Sequence, residues 1–191
     1  MDRELHRAVP LNRGFSLIEV LVATTVTTVA TMALAQLSAM SIRLNQVARE
    51  TTIATVLASQ KMEQLRAVAW TSDALGAPIS DTSTDTTAVP ERSSGGTGLR
   101  PSPTGALLLN TAGYCDFLDE NGRPLGGGLA PPSKAAFIRR WSIEPLPSPA
   151  SESLAIQVSV TRVGKRRSGT GSDVRLPSEA RMFGIKTRKG G

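Results

Sequence analysis

Between Val20 and Ile42 the chain runs for 23 residues without an Asp, Glu, Lys or Arg. About 20 predominantly apolar residues carry a helix across a bilayer, so this run predicts a membrane-spanning segment. Gly and Pro, the strongest helix breakers, are both missing from Phe15 to Leu75. The same helix is therefore expected to run on to about Trp70, well past the ~30 Å of hydrocarbon that a span needs. Glu19, at the head of the apolar run, needs a reason. An ionised carboxylate there costs roughly 2.5–3.5 kcal/mol on insertion scales unless it is paired or functional. Either it lies at the interface and reaches water, or a partner neutralises it.

The residues around Glu19 are Arg13, Gly14, Phe15, Ser16, Leu17, Ile18, Glu19, Val20, Leu21, Val22 and Ala23. This stretch resembles the processing site of type IV prepilins and type II secretion pseudopilins. The resemblance implies that a prepilin peptidase removes the leader 1–14 after Gly14, that the new N-terminal Phe15 is N-methylated, and that Glu19 serves subunit assembly. It also implies an α+β fold, a long N-terminal helix packed on a C-terminal antiparallel β-sheet. The physical logic agrees: a free amine at Phe15 could pair with Glu19 of a neighbouring subunit, so that assembly offsets two charges in an apolar setting. Many major pilins carry Pro in the apolar half of this helix; Gln36 stands there in this chain, as in several minor pilins and pseudopilins. Gln60–Arg66 likewise resembles the stretch that closes the helix in minor pilins and in one pseudopilin group. A rival reading takes Ala33-Leu34-Ala35 as a signal-peptidase site, but its apolar core would exceed the usual length of about 7–15 residues and would contain Glu19.

The expected organisation is a leader at 1–14, a transmembrane or filament-core helix at 15–42, its amphipathic continuation at 43–70, a flexible linker at 71–104 and a β-sheet head at 105–191. Arg3, Arg7 and Arg13 precede the span, while Arg43 and Arg49 follow it. The balance favours a cytoplasmic N-terminus in the inner membrane and a periplasmic head. The expected function is that of a structural subunit, a minor type IV pilin of the pilus-modification kind assembled into or initiating a pilus, with a type II secretion pseudopilin as the alternative. Expected partners are the prepilin peptidase, other pilin or pseudopilin subunits met through the helix, and the inner membrane.

Cys115 is the single cysteine and His6 the single histidine. A cysteine-based zinc site or an internal disulfide lacks its partners, and loss of the leader would remove the only histidine. Ser-His and Cys-His catalysis would go with it. No catalytic residue, cofactor or metal is expected; a membrane-anchored or secreted periplasmic enzyme stays as a further alternative, resting on carboxylates, lysine or serine. Removing a leader with three arginines, Asp2 and Glu4 would lower the formal charge of +6 by one.

Thr24, Thr28, Thr31, Ala35 and Ser38 recur at helical steps and predict a small, weakly polar stripe that can serve subunit packing; tolerated drift in composition explains it equally. Beyond Arg43, the positions Leu44, Val47, Thr51, Ala54, Ala58, Met62, Leu65 and Ala69 define one helical face, expected to cover a sheet. The Thr-, Ser-, Gly- and Pro-rich stretch 71–104 offers too little apolar surface to repay ordering and is expected to be mobile. Strands are predicted at 106–111, 114–118, 135–144, 153–163 and about 180–186, with a tight turn at Asp119–Gly122. In the fourth of these, Leu154, Ile156, Val158 and Val160 alternate with Ala155, Gln157, Ser159 and Thr161, the period of a sheet with one covered and one wet face. Asp116, Asp119, Glu120 and Asn121 lack the spacing of a calcium loop and are read as turn residues. From Thr161 onward nine basic residues face two acidic ones. That balance suits an anionic partner such as DNA or a membrane surface, although a solvated hairpin tip and tail accounts for it, and no aromatic residue interleaves Lys165, Arg166 and Arg167 for stacking on bases.

Overall fold

The computed structural model of the chain describes residues 14–147, 152–164 and 179–188. Contacts divide the chain into two compact units, Met1–Asn45 and Gln46–Gly191. The described part of the first unit is an exposed helix. This is the start of α1 (Leu17–Ala67), 51 residues long, beginning two residues later and ending three sooner than the spacing of breakers predicts. Its start follows from Ser16, whose backbone carbonyl accepts from the N–H groups of Glu19 (3.0 Å) and Val20 (3.2 Å).

In the second unit the last turns of α1 cover a five-stranded antiparallel sheet. The strands are β3 (Cys115–Leu118), β4 (Pro124–Gly127), β5 (Phe137–Pro145), β6 (Ser153–Arg162) and β7 (Ala180–Thr187), in the spatial order β4-β3-β5-β6-β7. A separate hairpin of β1 (Trp70–Ser72) and β2 (Pro78–Ser80) follows the helix. The layout is α+β, one long N-terminal helix and a C-terminal antiparallel sheet. Ala54, Leu57, Ala58, Met62 and Leu65 of α1 bury against Phe137, Trp141, Ile143, Leu154, Ile156, Val158 and Val160. The helical face predicted for packing is thus buried at 54, 58, 62 and 65, whereas Leu44 and Val47, in register with it, are exposed. Lys186 of β7 closes the helix: its Nζ donates to the carbonyls of Leu65, Arg66 and Val68 (2.7 Å). These are carbonyls a helix end leaves unpaired, at its negative pole.

Three expectations need correction, and one strand is added to them. The stretch 71–104 is folded: it carries β1, β2 and buried Leu99, Thr84 and Thr86. Its Asp and Thr residues supply the bonds that apolar surface does not. Asp81 Oδ1 accepts from the N–H of Ser83 (2.9 Å) and Thr84 (3.0 Å), and Asp85 Oδ1 accepts from Thr87 N–H (2.9 Å), side-chain turns of the kind these residues favour. Residues 106–111 form no strand. Leu108 and Leu109 N–H groups both bond back to Gly105 O (2.8 and 3.0 Å), and Ala106 N–H to Pro103 O (3.2 Å), which makes a helical turn that short apolar runs cannot be told from by period alone. The wet face of β6 is covered as well, because Ala155, Ser159 and Thr161 are buried. On that side Glu179 accepts from Ser159 Oγ (2.8 Å), and Asn110 Oδ1 accepts from Arg140 Nε (2.9 Å) and Nη2 (2.7 Å). Finally, β4 was not anticipated, since Pro-Leu-Gly-Gly has little strand propensity; it follows the predicted turn, where Gly122 N–H bonds Asp119 O (3.0 Å).

Candidate functional site

Gly14, Phe15 and Ser16 precede the helix, and Phe15 is 82% exposed. The Gly14–Phe15 bond therefore lies in non-helical chain immediately before an apolar helix. A Cβ built on Gly14 would meet nothing within 4 Å, so no internal packing demands a glycine at that position. Glu19 sits in the first turn of α1, where the helix macrodipole favours a carboxylate. Ser16 is the residue that sequence reasoning passed over. Its Oγ lies 3.4 Å from the Glu19 N–H while its carbonyl takes the first helical bonds. This is the N-cap position, and Ser16-Leu17-Ile18-Glu19 has the Ser-x-x-Glu sequence signature of a helix start, readable without coordinates.

The following turns solve the problem of polar atoms in an apolar segment. The hydroxyls of Thr25, Thr27 and Thr28 donate to the carbonyls four residues back at 2.8, 2.8 and 2.7 Å, Thr24 donates to Leu21 O (3.0 Å), and Ser38 donates to Leu34 O (2.9 Å). Backbone and hydroxyl groups paired inside the helix are what a lipid setting requires. An 18-residue window of this helix has a mean hydropathy of 1.8 and is 0% buried within the chain. It is long and apolar enough to cross a membrane.

Residues 10–35 match the prokaryotic N-terminal methylation motif. The chain carries this motif at its N-terminal end. This motif supports a type IV pilin-like or pseudopilin structural subunit, and it implies processing by a prepilin peptidase and assembly with other pilins. It covers Gly14, Phe15 and Glu19 together. No curated protein and no solved structure matches the chain.

The head of the chain holds a second polar cluster, which the sequence did not announce. Lys61 of α1 is fully buried, and its Nζ lies 2.9 Å from Asp116 Oδ2, donates to Gln64 Oε1 (2.9 Å) and to the Thr86 carbonyl, and stacks 3.9 Å from the centroid of the Trp141 ring. Arg139 grips the same carboxylate with Nε (2.9 Å) and Nη2 (2.8 Å), and its Nη1 donates to Leu57 O (3.1 Å). Burial pulls the Lys61 ammonium down to about 8, and the neighbouring Arg139 charge adds to this, against the pull of Asp116. The cluster joins helix, sheet and the 81–99 segment. The named bonds all run to protein groups, so the arrangement fastens the helix to the sheet.

The remaining candidates fall into place around it. Asp116 is taken by the two cations, and Asp119 Oδ1 accepts from the N–H groups of Asn121 and Arg123 (both 2.8 Å), while Glu120 accepts from Arg162 Nη2 (2.6 Å). These carboxylates serve the turn and its ion pairs. Of the basic C-terminal residues, Arg162 pairs with Glu50 and Glu120, Arg181 with Glu179, and Lys186 with the helix end. Arg188 donates to Thr71 O (2.6 Å) and stacks on Trp70. Lys165, Arg166, Arg167, Arg175 and Lys189 lie outside the described residues.

Proposed function

We propose that the chain is a minor type IV pilin, cut between Gly14 and Phe15 by a prepilin peptidase, N-methylated on Phe15, and inserted through α1 into or at the start of a pilus. The observation that carries this reading is the methylation motif placed on an exposed, non-helical Gly14–Phe15 junction ahead of an uncovered apolar helix. Supporting it, the helix has paired its own Thr hydroxyls and leaves Glu19 as the charge for a neighbour's new amine. The subunit sits in the inner membrane with its head in the periplasm before assembly. Its work is mechanical and non-catalytic, with no cofactor. The broad compact unit Gln46–Gly191 favours a minor pilin over a smaller type II secretion pseudopilin.

The test is the N-terminal residue and its mass in protein recovered from the host's membranes. A start at N-methylated Phe15 that disappears in Gly14→Leu is the expected result. Because Gly14 has no neighbour within 4 Å, such a loss reports recognition and not misfolding. A start at Gln36 or an intact Met1 would overturn the proposal.

A further inference from the structure

Ser142, in β5, is 3% exposed, and its Oγ has no hydrogen-bond partner among the described residues. A buried hydroxyl left in that state is costly, and the few such groups in a folded chain call for an explanation. Ser142 lines a pocket of about 210 Å³, with the 103–108 turn on one wall and Glu144 and Arg181 of the sheet on the other. The turn is tied down beside it. Ser102 N–H donates to Ile143 O (2.9 Å), Ile143 N–H donates to Ser102 Oγ (3.1 Å), and Leu108 N–H closes the turn on Gly105 O (2.8 Å). The space between turn and strand is therefore preformed.

The fold leaves the carboxylate of this pocket unpaired as well. Glu144 stands opposite Ala155 of β6 and, one strand further, Ile185 of β7. Neither can pair with a charge, and exposed Glu144 has no hydrogen bond or ion pair among the described residues. Arg181 is in the opposite condition, since the 0% exposed Glu179 carboxylate accepts from its Nε at 2.6 Å. Arg140, two residues before Ser142, does not line the pocket and bonds Asn110 Oδ1. An incoming group thus meets one unpaired carboxylate and one unpaired hydroxyl, beside the apolar residues Ala106, Leu107 and Leu108.

That set selects a hydrogen-bonding cation. A carboxylate only accepts, a hydroxyl can accept too, and charge-assisted bonds are the stronger kind. An anion would meet the Glu144 charge instead. The volume falls below the about 300–1,000 Å³ of pockets that enclose a whole small molecule, so it suits one side chain. We propose that the pocket receives an alkylammonium group, the chemistry of a lysine side chain, with its stem along the 106–108 wall and its charge at Glu144 and Ser142. Lysine stems bury along apolar surface in this way while the charged end finds polar company. Leu108 and its neighbour Leu109, 46% and 67% exposed, offer apolar contact to a protein carrying that lysine. This inference concerns the head and stands whether or not the chain is processed at Gly14.

The probe is a labelled peptide, acetyl-Ser-Val-Lys-Val-Ser-amide, titrated onto the full chain in neutral detergent micelles beside the same peptide with norleucine for Lys. Saturable binding of the lysine peptide is expected, at least tenfold tighter than that of the norleucine peptide, with amide shifts at 105–108 and 142–144. Glu144→Gln should cost tenfold or more. Ser142→Ala should cost severalfold in binding without lowering the unfolding midpoint, because it removes a hydroxyl that had no partner. Glu144→Lys should lose the lysine peptide and gain the same peptide with Glu in place of Lys, a gain that a misfolded variant would not show. Competition by n-butylammonium identifies the source: weaker than the peptide, it supports a lysine carried by a protein, and equal to it, a free amine in the same site. Absence of saturable binding by either amine, equal binding of the lysine and norleucine peptides, or binding untouched by Glu144→Gln would each overturn the proposal.

Discussion

Lys61 on α1 and Asp116 on β3 form an ion pair of 2.9 Å with side chains 0% and 1% exposed, and Arg139 holds the same carboxylate from β5. Two cations share one anion in the centre of the head. Removing the shared member should cost more than removing either of the others. Asp116→Ala leaves two buried cations without a counter-charge, and breaking a buried pair in this way costs about 3–5 kcal/mol. Lys61→Met loses its ion pair with Asp116 and the bonds to Thr86 and Gln64 but leaves the carboxylate its two-point contact with Arg139, so the cost should be about 1–3 kcal/mol. Urea unfolding of the full chain in detergent, followed by tryptophan fluorescence, should rank the variants in that order. Equal losses would mean that Arg139 does not hold Asp116 independently.

The same lysine sets a pH dependence. Burial lowers its folded-state value to about 8 from 10.5, so between those limits the unfolded chain binds more protons than the folded one. Stability contributed by Lys61 therefore rises with pH across that window. Cys115 acts in the opposite sense, because burial raises its thiol from 9.0 to about 11. Above pH 9 the unfolded chain loses that proton first, and stability falls. The expected profile climbs from pH 8 to 9 and is then opposed. Unfolding midpoints at several pH values should lose the climb in Lys61→Met and lose the opposing fall in Cys115→Ala.

At the other end of α1, Ser16→Ala removes the N-cap. Caps of this type contribute about 0.5–2 kcal/mol, so amide exchange at Leu17–Val20 should quicken severalfold while the head keeps its exchange pattern. Ser16→Asp keeps a capping oxygen and should restore protection. If Ser16→Ala exchanges like the parent, the helix start is fixed by the backbone alone.

How much of this was legible depends on the range of the physics. The extent of α1 is readable because sixty-odd residues lack Gly and Pro, and β6 because Leu154, Ile156, Val158 and Val160 keep period two. The processing site is local too: Gly14, Phe15 and Glu19 fall within one motif, as does the overlooked cap at Ser16. Lys61 is different. A lysine on a helix reads as solvent-facing, and its partners Asp116, Arg139 and Trp141 lie far along the chain, so only the fold brings them together. Residues 71–104 fail for another reason. Counting apolar side chains finds too few to order the segment, but Asp81 and Asp85 tie the backbone through their own oxygens, and burial of the Asp81 carboxyl is outweighed by the bonds from Thr84 and Ser83 that hold it below its ordinary value.

That folded state of 71–104 can be tested at Gly96. The glycine lies against the backbone of the neighbouring turn: a Cβ there would fall 2.2 Å from Asp85 Cα and 2.3 Å from Thr84 O. Neither atom is the end of a flexible side chain. The Gly96 N–H also bonds Ser83 O (2.8 Å), and Asp85 pairs with Arg92 across the same turn. Gly96→Ala must therefore push the Gly96 backbone away from the Thr84–Asp85 backbone, the segment that Lys61 holds through the Thr86 carbonyl. Overpacking of this kind costs about 1–3 kcal/mol, and the loss should appear as a lowered unfolding midpoint with faster exchange at Ser83–Thr87. Gly95→Ala supplies the comparison. A Cβ there meets nothing within 4 Å, although φ is +89°, so its cost is backbone strain of about 1 kcal/mol without the clash. If Gly96→Ala unfolds like the parent, the segment is the loose connection that its composition suggests, and the fastening of Thr86 by Lys61 does not hold it.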